Sequence, residues 1–428
     1  MVGGPVGREE LAELVASGPS RGVIGRGAGR SYGDAAQNTH GYVVAPVTLP
    51  GIELRPRAGT VRAAASTSFT ELLAAVVPHG LILPVLPGTR HLTIGGAVAA
   101  DVHGKNQRGD GTIAAWTEEI ELLDGRGQVL RLTPGGDPQA FRATLGGMGL
   151  TGIILAVTIR LIPVRSALMR VASRRLDDLD ALLAALDAAD ARYAVAWIDT
   201  TATGRSFGRG VLDVGDHLPG PDSRREPAGP AYRPPRAPRA PALPFCAFTP
   251  GTARGFNSLW FRKAPAERTG VADLTSFFHR LDALDGWNRA IGPRGLVQYQ
   301  FVVPEGSEKV ITAVLETVQR QRCAPFLGTL KRFGPASGGL LSFPGPGWSL
   351  AIDMPAGNPR LGAVLDELDR EVARAGGRVY LAKDARLSRA AFDEMYGPPA
   401  EWQAARDRLD PSGVFQSDMA RRLGLCRS

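Results

Sequence analysis

The sequence has few cysteines and few lysines. Its 428 residues include three cysteines, and these are far apart in the chain: Cys246, Cys323 and Cys426. The absence of CxxC or Cys/His spacing argues against a disulfide framework and against a structural zinc site. Only five of the 50 basic residues are lysines: Lys105, Lys263, Lys309, Lys331 and Lys383. In so arginine-biased a chain, a lysine suggests a need for an ammonium that can lose its proton, although chance retention explains any single one.

The chain also lacks a long hydrophobic run. Its longest apolar stretch, near 152–164, is too short to span a bilayer and contains Arg160. The alternation in this stretch is typical of a strand. Because the N-terminal residues show no basic start followed by an apolar segment, we expect no signal peptide. These features predict a cytoplasmic protein whose contact with a membrane would be peripheral.

The composition places the chain among ordinary globular proteins. Hydrophobic residues make up 44% and charged residues 21%, which excludes wholesale disorder, a fibrous repeat and a multispan membrane protein. The net charge of +8 favours acidic partners or a phosphorylated substrate, but it fits equally well a surface that only keeps the protein soluble. No segment interleaves aromatic and basic residues as a base-stacking platform does, so we expect no nucleic-acid partner.

The sequence pattern predicts that the first 165 residues form one α+β unit. The pattern predicts a helix at 9–17 and a second helix at 68–77, with Ser68 as its N-cap. Between them, residues 41–65 alternate like paired strands. A DGRG turn joins two further strands into a predicted hairpin, at 119–124 and 128–133.

From about residue 166 the pattern changes to strands separated by long helices. The predicted helices lie at 176–191 and 358–375, and the predicted strands at 193–199, 208–213, 297–303 and 350–353. The Pro/Arg-rich stretch 215–251 cannot pack a core, so we expect a mobile flap there. The tail from residue 376 again contains strand, helix and a basic end.

Two glycine-rich segments carry the chemistry. Residues 25–34, GRGAGRSYGD, can turn several backbone N–H groups toward one anion. No long hydrophobic strand precedes this loop and no helix clearly follows it, so it is not a Rossmann GxGxxG motif, and a simple turn-rich loop is the alternative. The second segment, 87–106, contains PGTR, TIGGA and HGKN, and it places His103 in a polar loop beside Lys105.

Together the two segments resemble the FAD-binding domain of the vanillyl-alcohol oxidase / p-cresol methylhydroxylase superfamily. The GLTGII run at 149–154 is similar to a later superfamily segment that touches the flavin. The resemblance narrows further through ordered motifs: RGAGRSYGD, PVLPGTR, QYQFVVP, LKRFG, LSFPGPGW and YLAKDAR. These look like the decaprenylphosphoryl-β-D-ribose 2′-oxidase family, the flavin half of the epimerase that makes the arabinose donor for actinobacterial cell walls. The likeness runs from about residue 22 to the end, interrupted around 200–260.

The resemblance implies an α+β protein with the two-domain FAD-binding fold of this superfamily and a substrate domain built on an antiparallel sheet. The implied FAD-binding domain is 1–165, and the implied substrate-binding domain is 166–375, with the flap at about 215–251. Residues 376–428 would return to the FAD domain. Many superfamily members attach FAD to a histidine near the first glycine loop. Tyr32 takes the place of that histidine, so non-covalent FAD is implied.

The resemblance also implies which residues surround the cofactor. They come from both glycine loops, the later segment and the tail: Gly27, Gly29, Arg30, Ser31, Tyr32, Pro87, Gly88, Thr89, Gly95, Gly96, Ala97, His103, Gly104, Ile154 and Tyr380.

On the substrate side the resemblance points to Lys105, Gln298, Gln300, Lys331 and Lys383, so three of the five lysines fall in one pocket. The two glutamines lie two apart on a strand and therefore share a face, which turns Tyr299 the other way. We take Lys383 as the catalytic group near the reacting hydroxyl, with His103 second. Lys105 and Lys331 would bind the anion of the substrate.

One departure from the family concerns the pocket wall. Where the family commonly has Asn-x-Cys, this chain has Ser349 and Ala351, which makes the wall smaller and removes the thiol. This difference leaves two interpretations of the substrate open, and both have the same fold.

The main interpretation is FAD-dependent oxidation of the ribosyl 2′-hydroxyl of a polyprenyl-phosphoryl-β-D-ribose to the 2′-keto sugar. A separate nicotinamide-dependent reductase would complete the epimerisation. The first alternative is an FAD-dependent oxidase of another sugar, an alditol or a nucleoside. The second is a flavin-free protein that binds polyprenyl phosphates or nucleic acid. Peripheral membrane contact would involve 224–239 and 243–248, unless these residues form only a solvated loop.

Overall fold

The computed structural model describes residues 2–3, 7–45, 51–222, 224–226, 229–397 and 399–426. Its α-helices are α1 (Arg8–Ala16), α2 (Phe69–Val76), α3 (Ile94–Ala99), α4 (Gln107–Asp110), α5 (Pro138–Thr144), α6 (Leu179–Asp187), α7 (Pro250–Lys263), α8 (Leu274–Phe278), α9 (Lys309–Arg320), α10 (Leu361–Arg374), α11 (Arg389–Tyr396), α12 (Ala400–Leu409) and α13 (Asp418–Arg422). No helix among these described residues is long and apolar enough to cross a bilayer.

The strands form two large sheets and two small ones. They are β1 (Val2–Gly3), β2 (Val23–Gly25), β3 (Tyr42–Val44), β4 (Ile52–Arg55), β5 (Thr60–Ala64), β6 (Leu81–Ile82), β7 (Thr117–Leu123), β8 (Val129–Leu132), β9 (Ile153–Arg160), β10 (Ile162–Pro163), β11 (Leu168–Leu176), β12 (Tyr193–Ile198), β13 (Gly210–His217), β14 (Glu267–Asp273), β15 (Leu296–Val303), β16 (Leu327–Phe333), β17 (Gly347–Pro355) and β18 (Arg378–Val379).

The N-terminal part is built on a five-stranded antiparallel sheet of order β4-β5-β9-β7-β8. Helices α2 and α3 cover one face of it and bury apolar residues such as Phe69, Leu72 and Ile94 against Ile120 and Val157. A small parallel sheet, β1-β3-β2, lies beside it. Helix α2 begins where Ser68 accepts the Glu71 N–H and the Glu71 carboxylate accepts the Ser68 N–H, which forms a capping box.

The rest of the chain is built on an eight-stranded sheet of order β14-β11-β13-β12-β16-β17-β15-β18. One face carries Tyr299, Phe301, Leu350 and Ile352, which are buried in a core with residues of α6, α9 and α10. Because side chains alternate along a strand, the residues between these point to the opposite face. That second face carries the polar side chains of the candidate site.

The C-terminal segment packs against the N-terminal part. The Tyr380 hydroxyl donates to the Ala100 carbonyl at 2.8 Å, and Arg422 pairs with Asp34 at 2.7 Å. An isolated bridge joins Phe415 to Val23. The domain boundaries predicted above stay predictions, but the return of the tail to residues of the first glycine loop is a feature of the structure.

Most predicted elements are present, and the differences have local causes. The predicted helix 176–191 is shorter, since Leu176 ends β11 and the Asp178 side chain caps the helix by accepting from Ala181 N–H. Residues 41–65 do not pair with each other throughout: β3 pairs in parallel with β1 and β2, whereas β5 pairs with β4 and β9.

The predicted flap at 215–251 is smaller than expected. Its first residues are the end of β13, and α7 begins at Pro250. Between them, the described residues of 218–249 form no helix or strand beyond an isolated bridge from Arg239 to Asp285. The pattern also gave no indication of α7 or β14.

Candidate cofactor cleft and active site

A narrow cleft brings together three of the glycine-containing segments found in the sequence. It is lined by Gly25, Arg26, Gly27, Val44, Ala45, Ala65, Ser66, Thr93, Gly95, Gly96, Ala99, Gly149, Gly152, Ile153, Ile154 and Leu155. Of the predicted cofactor residues, four are in this lining: Gly27, Gly95, Gly96 and Ile154. The contributions of 44–45 and 65–66 were missed, because these residues carry no motif.

Close packing requires glycine at two positions of the cleft. A Cβ on Gly27 would lie 2.2 Å from the Thr93 hydroxyl oxygen, and one on Gly95 would lie 2.5 Å from the Ala65 Cβ. Thr93 itself caps α3 by accepting from the Gly96 N–H. The walls therefore consist largely of backbone and small side chains, which suits an extended phosphate-bearing cofactor that lies flat against the chain.

The other predicted cofactor residues lie around this cleft without lining it. Arg30 and Ser31 are exposed, and Gly29 adopts a left-handed φ of 62° beside Arg26. Thr89 is held by Asp282, whose carboxylate accepts from the Thr89 hydroxyl and from the Arg90 N–H at 2.8 Å each. Pro87, Gly88, Ala97 and Gly104 belong to the same loops, with Pro87, Ala97 and Gly104 buried and Gly88 exposed.

Tyr32 links the first glycine loop to the tail. Its N–H donates to the Ala382 carbonyl at 3.0 Å, and its ring centroid lies 4.0 Å from the Lys383 ammonium. A Cβ on the neighbouring Gly33 would lie 1.8 Å from the Asp384 carbonyl oxygen, so the two segments touch through backbone. Burial raises the pKa of the Tyr32 phenol, which therefore stays protonated.

The second group of predicted residues occupies one face of the eight-stranded sheet. Gln298 and Gln300 on β15 lie opposite Asp353 and Ala351 on β17. Lys331 on β16 lies opposite Ser349. Paired residues in an antiparallel sheet share a face, so all of these side chains point the same way. Tyr299 is buried on the other face, as its position between the glutamines predicts.

His103 is brought to this face by its loop. The Gln300 amide lies 3.1 Å from His103 Nε2 and donates to the Ser349 hydroxyl at 3.2 Å. The imidazole packs against the rings of Phe333 and Tyr380, with centroids 4.9 and 5.4 Å away. Burial, with the charges of two lysines nearby, keeps the pKa of His103 well below its usual value, so the ring is neutral.

Lys383 and Asp353 form an interacting pair in this pocket. Burial lowers the pKa of Lys383 and raises that of Asp353, while each charge opposes the shift of the other. Gln298 donates its amide to the Asp353 carboxylate at 2.8 Å. Asp353 was missed in the sequence, although Ser349, Ala351 and Asp353 follow the two-residue period of one strand face.

Lys331 and Lys105 are also partly removed from solvent. Burial lowers the pKa of Lys331 to about 8, with the Lys383 charge adding to the effect. Burial lowers the pKa of Lys105 to about 7; Arg280 lowers it further and Asp213 opposes the shift. The Lys105 ammonium donates to the Phe277 carbonyl and lies 4.1 Å from the Phe277 ring centroid. Three half-buried lysines that interact electrostatically favour an anionic ligand.

Comparisons with known proteins give matches to two families and to several relatives. A family described as FAD binding domain matches residues 4–133, and one described as D-arabinono-1,4-lactone oxidase matches residues 354–423. The chain is 40% identical to the decaprenylphosphoryl-β-D-ribose oxidase of Mycolicibacterium smegmatis, over 95% of this chain and 90% of that one. It is 42% identical to an uncharacterized protein of Streptomyces coelicolor, over 83% of this chain and 99% of that one.

A more distant likeness covers part of the chain. An alditol oxidase of a Streptomyces species is 31% identical over 37% of this chain and 38% of its own length. The lactone oxidase match covers the segment that contains both Tyr380 and Lys383.

Proposed function

Because the chain belongs to the decaprenylphosphoryl-β-D-ribose oxidase family, it is an FAD-dependent oxidoreductase, and we propose that it oxidises the ribosyl 2′-hydroxyl of a polyprenyl-phosphoryl-β-D-ribose to the 2′-keto sugar. One observation carries the proposal: Lys331 interacts electrostatically with both Lys105 and Lys383, and it shares a sheet face with the amides of Gln298 and Gln300. Cations suit the phosphodiester, and amides suit the sugar hydroxyls.

The cleft of glycines fits the cofactor. Gly27, Gly95 and Gly96 leave the backbone open to a pyrophosphate, and Ile154 would contact the same cofactor. Bound FAD would supply the acceptor for the hydride that leaves C2 of the sugar. Burial beside Lys383 keeps the phenol of Tyr32 neutral. By the family resemblance, Tyr32 would take the place of the residue that carries a covalent flavin in other superfamily members. We therefore propose that FAD is held without a covalent bond.

Lys383 takes the hydroxyl proton in this proposal. Burial lowers the pKa of its ammonium, so a neutral amine is accessible near neutral pH. The lone pair of that amine accepts the proton of the 2′-hydroxyl. Asp353 acts as a positioning residue, since its carboxylate interacts with the Lys383 ammonium and is itself oriented by Gln298. His103 is neutral and hydrogen-bonded to Gln300, so it would fix the orientation of the Gln300 amide toward the sugar.

Lys105 and Lys331 would bind the phosphodiester. An anion between them would raise the pKa of both ammoniums and relieve their mutual repulsion. Gln298 and Gln300 would hold the vicinal hydroxyls, and Ser349 and Ala351 would form the wall beside them. Ser349 is buried and accepts a hydrogen bond from the Gln300 amide, so a small polar side chain closes the wall there.

The second candidate, an oxidase of another sugar, an alditol or a nucleoside, is favoured by Ala351. Its methyl group stands opposite Gln300 and Thr329, where the family commonly has a cysteine. Smaller side chains in the wall leave room for other polyols, and the alditol oxidase likeness points in the same direction. A free polyol, however, offers no anion for three enclosed lysines.

Two partners complete the proposal. A nicotinamide-dependent reductase would return hydride to the keto sugar, since a 2′-ketone is an intermediate of epimerisation. The polyprenyl tail would remain in a lipid bilayer, because each methylene removed from an apolar medium costs about 0.8 kcal/mol. The enzyme would then meet its substrate by peripheral contact, through the exposed arginines of 224–239 and the exposed Phe245 of 243–248.

Anaerobic titration of the purified flavoprotein tests the substrate. We expect a short-chain polyprenyl-phosphoryl-ribose to bleach the visible flavin absorbance, whereas free ribose, an alditol and a nucleoside should leave it unchanged. Bleaching by an alditol alone would replace the proposal by the second candidate. A colourless protein that cannot take up FAD would overturn both.

The Lys383→Met variant tests the base. We expect the rate of bleaching to fall at least about 100-fold with normal flavin content, since positioned proton transfer contributes about this much. Lys309→Met is the matched control, because Lys309 is exposed at the start of α9. Full turnover by the Lys383 variant would remove the assignment.

A further inference from the structure

Helix α7 turns an apolar stripe toward solvent. Its inward face buries Ala253, Asn257 and Phe261. Its outward face exposes Phe256, Leu259 and Trp260 by 42%, 52% and 46%. These three residues have the i, i+3, i+4 spacing of one helix face. Lys263 lies one turn further along the same face and adds a positive charge there. Monomeric proteins seldom leave such a patch open without a use for it.

The chain segment that ends in this helix is strongly basic. Residues 224–263 contain eight basic side chains and one acidic one, a net charge of +7 within a chain of +8. All eight basic side chains are exposed: Arg224, Arg225, Arg233, Arg236, Arg239, Arg254, Arg262 and Lys263. In the part of the chain that the structure describes, none of the eight forms an ion pair. Their charges are thus available to an external anionic surface.

The basic segment leads directly into the helix. Arg239 is bridged to Asp285, and the Leu243 N–H donates to the Arg289 carbonyl, so the chain runs beside residues 285–292. Phe248 then stacks on Phe326 at 4.1 Å and contacts the ring of Phe256. Residues 239–256 therefore connect the exposed arginines of the basic segment to the exposed aromatic side chains of α7.

This surface lies on the substrate side of the eight-stranded sheet. Phe261, on the inward face of α7, packs against Trp197 and Val211. Trp197 on β12 is opposite Thr329 on β16, and Lys331 lies two residues further along the same strand face. Helix α7 therefore packs on the same face of the sheet as Lys331.

We propose that α7 is an interfacial helix that inserts Phe256, Leu259 and Trp260 into an anionic phospholipid bilayer, with the surrounding arginines on the lipid phosphates. Aromatic and aliphatic side chains on one face with cations beside them are the composition of helices that lie in the membrane interface. Anionic lipid attracts such a surface within about a Debye length. The proposal deepens the proposed function, because it gives the polyprenyl tail its place in the bilayer next to the site.

Vesicle flotation of the holoenzyme tests the proposal. We expect the protein to float with vesicles of phosphatidylglycerol and phosphatidylcholine at low salt, and to float about tenfold less with pure phosphatidylcholine or at high salt. The F256S/L259S/W260S variant should bind the mixed vesicles at least about tenfold more weakly, with unchanged flavin content as evidence of folding. Tyr42→Ser removes an aromatic side chain of similar exposure, 39%, away from α7 and should bind like the parent protein.

Two substrates separate this proposal from the proposed function. The triple variant should oxidise a water-soluble short-chain substrate at the parent's rate and lose most of its turnover of a long-chain substrate embedded in vesicles. If the triple variant floats as well as the parent, or the parent does not float, the interfacial helix is wrong. If the parent floats but neither substrate bleaches the flavin, the proposed substrate fails and the membrane surface stands.

Discussion

At the scale of single residues, the chemistry of this site depends on removing charged groups from water. Lys383 and Asp353 oppose each other, so the proton affinity of the lysine is set by how much burial lowers its pKa and how much the carboxylate restores. A base must be neutral to accept a proton, and the reaction should therefore speed up as pH rises through the pKa of Lys383.

The Asp353→Asn variant tests this balance. Without the carboxylate charge, the pKa of Lys383 should fall further, so the rise of kcat/KM with pH should move to lower pH. A merely structural role would lower the rate without moving the profile. Lys309→Met is the control and should keep the parent profile. A shift to higher pH would contradict the assignment of Lys383 as the base.

At the scale of elements, the cofactor cleft exists because loops approach one another more closely than side chains allow. Gly27 passes Thr93 at the start of α3, and Gly95 passes Ala65 after β5. These contacts join the first glycine loop to the second and leave the backbone as the wall. Because the loops lie so close together, one added methyl group should disturb the cleft.

We expect Gly27→Ala to weaken FAD binding at least about tenfold, because its Cβ would collide with the Thr93 hydroxyl and push the two loops apart. The FAD dissociation constant, measured by fluorescence on dilution, checks this. Gly135→Ala is the matched control, since a Cβ there meets nothing within 4 Å. Equal affinity in both variants would show that this contact does not shape the cleft.

At the scale of the whole molecule, the C-terminal segment joins parts of the chain that are far apart in the sequence. Arg406, buried on α12, donates to the carbonyls of Leu150, Phe415 and Leu425. It thereby joins the loop after α5 to the last residues of the chain. Because the tail also carries Tyr380 and Lys383, the site is complete only when this segment is docked.

We expect Arg406→Met to lower the free energy of unfolding by at least about 3 kcal/mol, since it leaves three buried carbonyls without a donor. Thermal unfolding followed by flavin release measures the effect. Arg374→Met is the control, because Arg374 is exposed and its ion pair with Glu371 contributes little. A similar loss of stability in both variants would show that the buried guanidinium is not a structural centre.

Much of this protein could be read from local pattern. The periodicity of residues 68–77 and Ser68 before them predicted α2, and the DGRG turn predicted the hairpin of β7 and β8. The glycine motifs indicated loops that approach each other closely, and the family resemblance identified these loops as a cofactor site. The scarcity of lysine drew attention to five lysines, and the resemblance selected Lys105, Lys331 and Lys383 among them.

What the tertiary structure decided was which of these residues meet. Asp353 carries no motif, and it became part of the site only because β17 pairs with β15 and places it opposite Gln298. Strand β3 joined the parallel sheet and left β5 to pair with β4 and β9, since backbone pairing depends on neighbours far away in the chain. The sequence by itself determined residue types, periods and turns, which are local properties. Burial, and with it the lowered pKa values and the open stripe of α7, arises only when distant segments exclude water together.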